Sequence, residues 1–477
     1  MGGADAVDGI TRVLFVHDFA PFFMTQKSET VAIIGAGLNG PLLALGLVKR
    51  GFKVEIYERR PDMRRVSRSA GRSINLAIST RGIHALKEVG LWSEMQKIII
   101  PMKGRMMHSP NSELTFQPYG KDETEVINSI SRAELNIALL NAAEAQGVEI
   151  HFQQRCTGMS FKAGTLHLRD ESAVEDRTVE CGVVIGCDGS ASAIRGDMLK
   201  LNRFNFSQQY LDYGYKELTI PAAPGGEHAL ETNALHIWPR GNCMLIALPN
   251  VDGTFACILF LPFEGPDSFE HLATHSDVKQ FFQSRFPDAV PLMPDLTDNF
   301  FSNPTGAMVT IKCSPWHVGG QVLLLGDAAH AIVPFFGQGI NCGFEDCTTL
   351  LELLDRPGAD WKTVFRKCEE ARKVNADAIA DLAIENFVEM RDRVADPRFL
   401  FRKKVELALE AKYPGVFVPK YAMVTFHRIP YSTALKRGQL QDGMLTELCN
   451  HVERIEDLDW EKADRLVRTE LTPLEST

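Results

Sequence analysis

Several familiar signatures are missing from this 477-residue chain. The ten cysteines are scattered, with no C-x-x-C pair and no H-E-x-x-H run, so neither a zinc site nor a disulfide framework is indicated. Thiols used this way fit a reducing, cytoplasmic setting. Net charge is −10 and no basic cluster stands out, which argues against a nucleic-acid partner. No internal repeat or low-complexity segment is visible. The closing stretch Ile455-Glu-Asp-Leu-Asp-Trp-Glu-Lys-Ala-Asp-Arg holds no long apolar run, so no membrane anchor is expected there. Residues 30–48 are apolar enough to resemble a span, but Gly35, Gly37, Gly40 and Pro41 argue otherwise. At the other end, Arg12-Val-Leu-Phe-Val has acids on either side and no small-residue cleavage pattern, so it does not read as a signal peptide. Residues 1–28 are expected to be a disordered extension.

What is present begins at Val31-Ala-Ile-Ile-Gly-Ala-Gly-Leu-Asn-Gly40, a buried strand, a glycine turn and a helix start within ten residues. Gly35, Gly37 and Gly40 supply G-x-G-x-x-G. In a dinucleotide site the first glycine makes the tight turn, the second admits the pyrophosphate and the third lets helix and strand pack closely. The helix N-terminus then faces the phosphate charge. Alone the pattern is weak. Val54-Glu-Ile-Tyr-Glu58 strengthens it, because this alternating second strand ends in an acid where a ribose-binding carboxylate belongs.

Further along, Lys103–Ser109 and Leu114–Tyr119 read as two strands joined by a turn, placing Arg105 and Tyr119 on a sheet. Ser131 is an N-cap with Glu134 at capping-box spacing, which sets Arg132 at a helix start. Ile83–Leu91 has helical spacing, and His84 within it is read as structural. Residues 149–188 alternate as short strands, and β-rich runs over 208–262 interrupt the nucleotide fold. Val322-Leu-Leu-Leu-Gly-Asp327 restores a buried strand, and about 361–412 is helical in period. Within that region Asn386 shares a face with Ile379, Leu382, Ala383 and Met390, so its amide needs a partner. The small residues around His330 make it a structural histidine rather than a base.

Three separated motifs together resemble the flavoprotein aromatic hydroxylases, the group A FAD-dependent monooxygenases. They are the Gly35–Gly40 loop, Cys187-Asp-Gly-Ser-Ala-Ser-Ala-Ile-Arg195 and Gly326-Asp-Ala-Ala-His-Ala-Ile-Val-Pro-Phe-Phe-Gly-Gln-Gly-Ile-Asn341. The resemblance implies an α/β fold, a Rossmann-like FAD-binding domain interrupted by an antiparallel β-sheet substrate domain, with a C-terminal helical region. The FAD-binding domain is expected over 29–98, 124–200 and 305–380, the substrate sheet over 99–123 and 201–304, and the helical region over 381–477. It implies that Gly35, Gly37, Leu38, Gly40 and Glu58 hold the ADP half of a tightly bound FAD, with Arg59 and Arg60 beside them. Asp188 is tied to both FAD and NAD(P)H use, and Asp327 to the ribityl chain. Ala77, Arg132, Gly339, Ile340 and Asn341 complete the cofactor set. The helix after Gly337 or Gly339 would turn its positive end toward the flavin and favour the anionic reduced form.

A tighter similarity, to the members of this family that hydroxylate kynurenine at ring position 3, spans roughly residues 29–445. It rests on Glu58-Arg-Arg-Pro-Asp, Gly71-Arg-Ser-Ile-Asn-Leu-Ala, Gly104-Arg-Met, Gln117-Pro-Tyr-Gly, Tyr215-Lys-Glu-Leu, Asn233-Ala-Leu-His-Ile-Trp-Pro, Glu385-Asn-Phe-Val-Glu-Met and Tyr421-Ala-Met-Val-Thr-Phe. By that similarity Arg105 and Tyr119 bind the substrate carboxylate, with Asn386 and Tyr421 also at the site. Leu248, Phe260, Pro334, Phe335 and Met390 wall the aromatic ring. The residue types suit the task, since a carboxylate calls for a forked, permanently charged guanidinium and an aniline ring for apolar walls. The implied reaction takes L-kynurenine, NADPH and O2 through a flavin C4a-hydroperoxide, with no side-chain acid or base and no metal. Alternatives are a hydroxylase of another aromatic acid and a non-catalytic carrier of the same fold. The latter should show damaged Gly-Asp or Asp-Gly motifs, and both are intact. The sequence leaves the oligomeric state open, a homodimer included, and likewise the way NADPH docks.

Overall fold

The computed structural model describes residues 30–65, 75–392 and 397–474. The N-terminal extension and the first half of the polar loop Arg68–Ser79 lie outside them.

The centre is a six-stranded sheet in the order His317–Val318, Val322–Leu324, Val183–Gly186, Thr30–Ile34, Lys53–Glu58, Glu149–Phe152. Every neighbouring pair is parallel except the antiparallel His317–Val318 edge. Such strands are covered on both faces, which is why Val31–Ile34 and Val183–Ile185 are unbroken apolar runs. The helix Asn39–Lys49 leaves the first strand through the glycine turn and packs against Arg132–Ala145 and Gly339–Leu354.

The second sheet has seven strands in the order Thr305–Ser314, Asn205–Ile220, Phe255–Pro262, Met244–Pro249, Ala234–Pro239, Gly104–His108, Leu114–Pro118. It is antiparallel apart from one parallel pair, Ala234–Pro239 with Gly104–His108. Period-two alternation divides it. Met244, Ile246 and Leu248 point to one side, toward a cavity. Leu245 and Ala247 point to the other, into a separate core with Trp238, Phe255 and Phe282 that the helix His275–Arg285 helps to close.

Three boundaries differ from expectation. Ile99–Met102 pairs with Ile127–Ser131 in a small sheet with Asn75–Ile78, not with the substrate sheet. Thr305–Ser314 hydrogen-bonds along Asn205–Ile220 and so belongs to the large sheet rather than to the nucleotide domain. The helix Trp361–Asp392 runs unbroken across residues 380 and 381, packing on Gly339–Leu354 and on Tyr431–Leu448. The last helices enclose their own small core around Leu409, Phe417 and Leu445. No helix among the described residues is long and apolar enough to cross a membrane.

Candidate active site

One cavity of ≈ 900 Å³ runs from the glycine turn to the face of the large sheet. All the residues singled out above for cofactor or substrate line it, save Gly40, Asn341 and Asn386.

At its nucleotide end the three glycines are required for three different reasons. Gly35 has φ +103°, and a Cβ there would lie 2.5 Å from the Cys187 carbonyl oxygen. A Cβ on Gly40 would lie 2.0 Å from the Gly35 oxygen, so only glycine allows helix and turn to meet. At Gly37 a Cβ would meet nothing within 4 Å, which leaves open space where a pyrophosphate needs it. Glu58 is fixed beside the turn, accepting the Ala36 N–H at 2.8 Å and the Arg60 N–H at 2.9 Å. Burial would raise its pKa, but Arg60 and these backbone donors hold it below the usual carboxylate range.

In the middle of the cavity lie two carboxylates with spare acceptors. Asp188 accepts the Ala193 N–H at 2.7 Å through one oxygen, while the other, Oδ1, is buried with no partner. Asp327 opens the short helix Asp327–His330 after Gly326, whose φ is +58°. It is open to the cavity although it sits deep within the protein. Burial pushes both carboxyls up, Arg132 opposing this at Asp327. An unpartnered acceptor and a glycine cradle are what a ribityl and pyrophosphate group would satisfy, so these residues fit FAD.

The helix Gly339–Leu354 aims its N-terminus here, following Gly337 in the left-handed region at φ +67°. Asn341, fully buried, uses its side chain to hold that turn. It accepts the Ser79 and Gly82 N–H groups at 2.9 and 3.2 Å and donates to the Ala77 and Gly337 carbonyls at 2.8 and 2.9 Å. Its side chain is therefore spent on scaffold.

At the far end Arg105 lies beside two phenols, its guanidinium carbon 5.5 Å from the Tyr119 ring centre and 5.0 Å from that of Tyr421. The two rings stack at 5.7 Å. Arg105 Nε is buried without a hydrogen-bond partner. Burial alone would weaken its charge, but Tyr421, Tyr119 and Glu389 together raise its pKa. Burial also raises both phenols, Arg105 pulling the other way, so they remain protonated donors. Beyond them the wall is apolar, with Phe260 and Phe335 at 4.8 Å and Leu248, Pro334 and Met390 nearby. Asn386 stands behind this wall, its amide donating to the Phe335 carbonyl at 2.7 Å.

Sequence reading missed Met244, Ile246, Ile258 and Phe336, which also line the cavity. The alternation of their strands carried the signal, since each shares a face with Leu248 or Phe260, and Phe336 adjoins Phe335. His330 is turned away, bonded through Nε2 to Asp346 at 2.5 Å. With Cys342 the pair has the outline of a metal set, but Arg372 already supplies the cation, 2.7 Å from Asp346 and 3.4 Å from the Cys342 sulfur.

The architecture is that of the FAD-binding aromatic hydroxylases. A family model described as "FAD binding domain" matches residues 28–358. Among solved structures, the tetrameric form of 2-methyl-3-hydroxypyridine-5-carboxylic acid oxygenase superposes with a TM-score of 0.64 at 20% identity, covering 79% of this chain and 96% of that one. Klebsiella pneumoniae HpxO complexed with FAD and uric acid gives 0.63 at 18% identity, covering 80% and 92%. At that distance they establish fold alone. Sequence relatives are much nearer. The kynurenine 3-monooxygenase of Myxococcus xanthus is 56% identical over 448 residues, 94% of this chain and 96% of the relative. That of Dictyostelium discoideum is 45% identical, covering 92% and 98%. The chain belongs to the kynurenine 3-monooxygenase family.

Proposed function

We propose that the protein hydroxylates L-kynurenine at ring position 3 as an FAD-dependent monooxygenase using NADPH and O2. The observation that carries this reading is Arg105, a half-buried arginine with a buried, unsatisfied Nε–H beside two stacked phenols, at the apolar end of a cavity that begins in a dinucleotide loop. Bound FAD, reduced by NADPH, supplies the activation of O2 and delivery of one oxygen atom to the ring.

The chain's own residues bind and orient. Arg105, Tyr119 and Tyr421 take the amino-acid carboxylate by charge-assisted hydrogen bonds. Leu248, Phe260, Pro334, Phe335 and Met390 hold the ring and exclude water from the reacting edge. Asn386 serves this site by fixing the Phe335 backbone. The kynurenine amino group already enriches the ortho carbon in electrons, so no side-chain base is required. Gly35, Gly37, Leu38, Glu58, Arg59 and Arg60 hold the adenylate side of FAD. Asp188, Asp327, Arg132, Ala77, Gly339 and Ile340 hold the remainder. The N-terminus of Gly339–Leu354 offers its positive end to negative charge on the cofactor. The described cysteines are all unpaired, which fits a reducing cytoplasm.

The test is product identification after incubation with L-kynurenine, NADPH and air. A kynurenine derivative heavier by one oxygen and hydroxylated at position 3 is expected. NADPH oxidation without that product, or faster turnover with another aromatic acid, would overturn the reading.

A further inference from the structure

Arg81 belongs to none of the motifs above, yet it joins the two ends of the site. It is in the first turn of the helix Thr80–Glu88, with a side chain 0% exposed. Its Nε donates to Glu345 at 3.0 Å. Nη1 donates to the carbonyls of Val424 and His427, and Nη2 to that of Ile429. The guanidinium also lies over the Tyr431 ring at 3.9 Å. A buried charge is tolerated only when paired and hydrogen-bonded, and only a guanidinium presents this many donors in one plane.

The three carbonyls lie at the end of the helix Lys420–Thr425 and in the chain leaving it. A helix of six residues has little stability of its own, and its last carbonyls require outside donors. Tyr421 is on that helix, stacked between Tyr119 and Phe336. On the other side Glu345 belongs to Gly339–Leu354, whose first turn lines the cavity, and Arg372 grips it at 2.6 Å. Arg372 and His330 share Asp346, which also accepts the Gly326 N–H at 3.1 Å, next to Asp327. Buried charges therefore run without a break from the backbone behind Tyr421 to the loop ahead of Asp327.

We infer that Arg81 is a positioning residue, setting the Tyr421 phenol against the substrate carboxylate by tying the exit of its helix to the helix that borders the cofactor. The inference rests on the reading of Tyr421 as a carboxylate ligand. Its test is steady-state kinetics of Arg81→Lys in the wild-type and Tyr421→Phe backgrounds. Lysine keeps the charge opposite Glu345 but lacks the planar fork that reaches three carbonyls. In the wild-type background KM for L-kynurenine should rise on the order of tenfold, with kcat within about threefold and bound FAD retained. In Tyr421→Phe the same change should alter KM by less than about twofold, because the contact it serves is gone. Equal penalties in both backgrounds, or a wild-type KM for Arg81→Lys, would overturn the inference. A wild-type KM for Tyr421→Phe alone would instead overturn the reading beneath it. Should Arg81→Lys not accumulate folded, Glu345→Gln, which loosens the anchor and leaves the carbonyl contacts, replaces it in the same cycle with the same outcomes.

Discussion

Arg105 keeps its Nε–H buried and unpartnered, a condition that costs about 1–3 kcal/mol for a buried donor and that a bound carboxylate would relieve. Removing the guanidinium therefore deletes a charge-assisted contact while leaving the dinucleotide end untouched. Arg105→Ala should lower kcat/KM for L-kynurenine by roughly ten- to a hundredfold, chiefly through KM, at an unchanged flavin absorbance. Tyr119→Phe removes a single neutral hydroxyl and should cost only about two- to tenfold. Unchanged kinetics in Arg105→Ala would take the carboxylate away from this end of the cavity. Arg105 was legible in the sequence as a member of a strand, whereas Tyr119, expected on the adjoining strand, follows its last residue Pro118, and the resemblance supplied the role of both. Asn386 was legible only in part. The helical pattern showed that its amide needs a partner, but the Phe335 carbonyl that satisfies it lies 51 residues away, and no local pattern points there.

At the scale of elements, the glycine turn separates folding from ligand fit. Gly40→Ala forces a methyl group onto the Gly35 oxygen inside the βαβ unit, so it should lower the melting temperature of the cofactor-free protein and its flavin content together. Gly37→Ala meets no protein atom, so it should leave cofactor-free stability within about 0.5 kcal/mol while reducing FAD affinity. Thermal melts and flavin absorbance on both variants check the contrast. Equal loss of stability in the two would mean that Gly37 is needed by the fold rather than by the cofactor. Such short-range units were legible, from the first strand–turn–helix to the paired strands Gly104–His108 and Leu114–Pro118, with Tyr119 just past the end of the second. Alternation also tells which residues share a face, as in Met244, Ile246 and Leu248. It does not tell which strand lies next to which, because the hydrogen bonds along a strand edge are made by the backbone whatever the side chains. That is why the expected domain bounds put Ile99–Met102 in the substrate sheet and Thr305–Ser314 in the nucleotide domain, and why one parallel pair in the large sheet went unforeseen.

Across the whole molecule, the interior is tied together by charge as well as by apolar packing. The hydropathy pattern could not disclose this, since Glu345, Asp346 and Arg372 look like polar positions on helices until their partners are in place. The His330–Asp346 contact makes the arrangement testable through pH. Burial would lower the pKa of His330, but Asp346 at 2.5 Å raises it well above the usual 6.5. A histidine whose pKa is higher folded than unfolded contributes stability that is fully present below about 6.5 and fades as pH rises through the folded value. Asp346 works in the opposite sense. Burial opposes its charge, yet His330 and Arg372 hold its pKa below 3.8, so its contribution is present above that value and lost only as pH falls through the lowered one. Between these limits both charges support the fold. His330→Gln should therefore show its largest deficit in melting temperature near about pH 6, and the deficit should narrow as pH rises above about 6.5, because folding of the wild type must then take up the imidazolium proton. A deficit that stays constant over that range would mean that His330 is neutral when folded, leaving Arg372 as the only cation that balances Asp346.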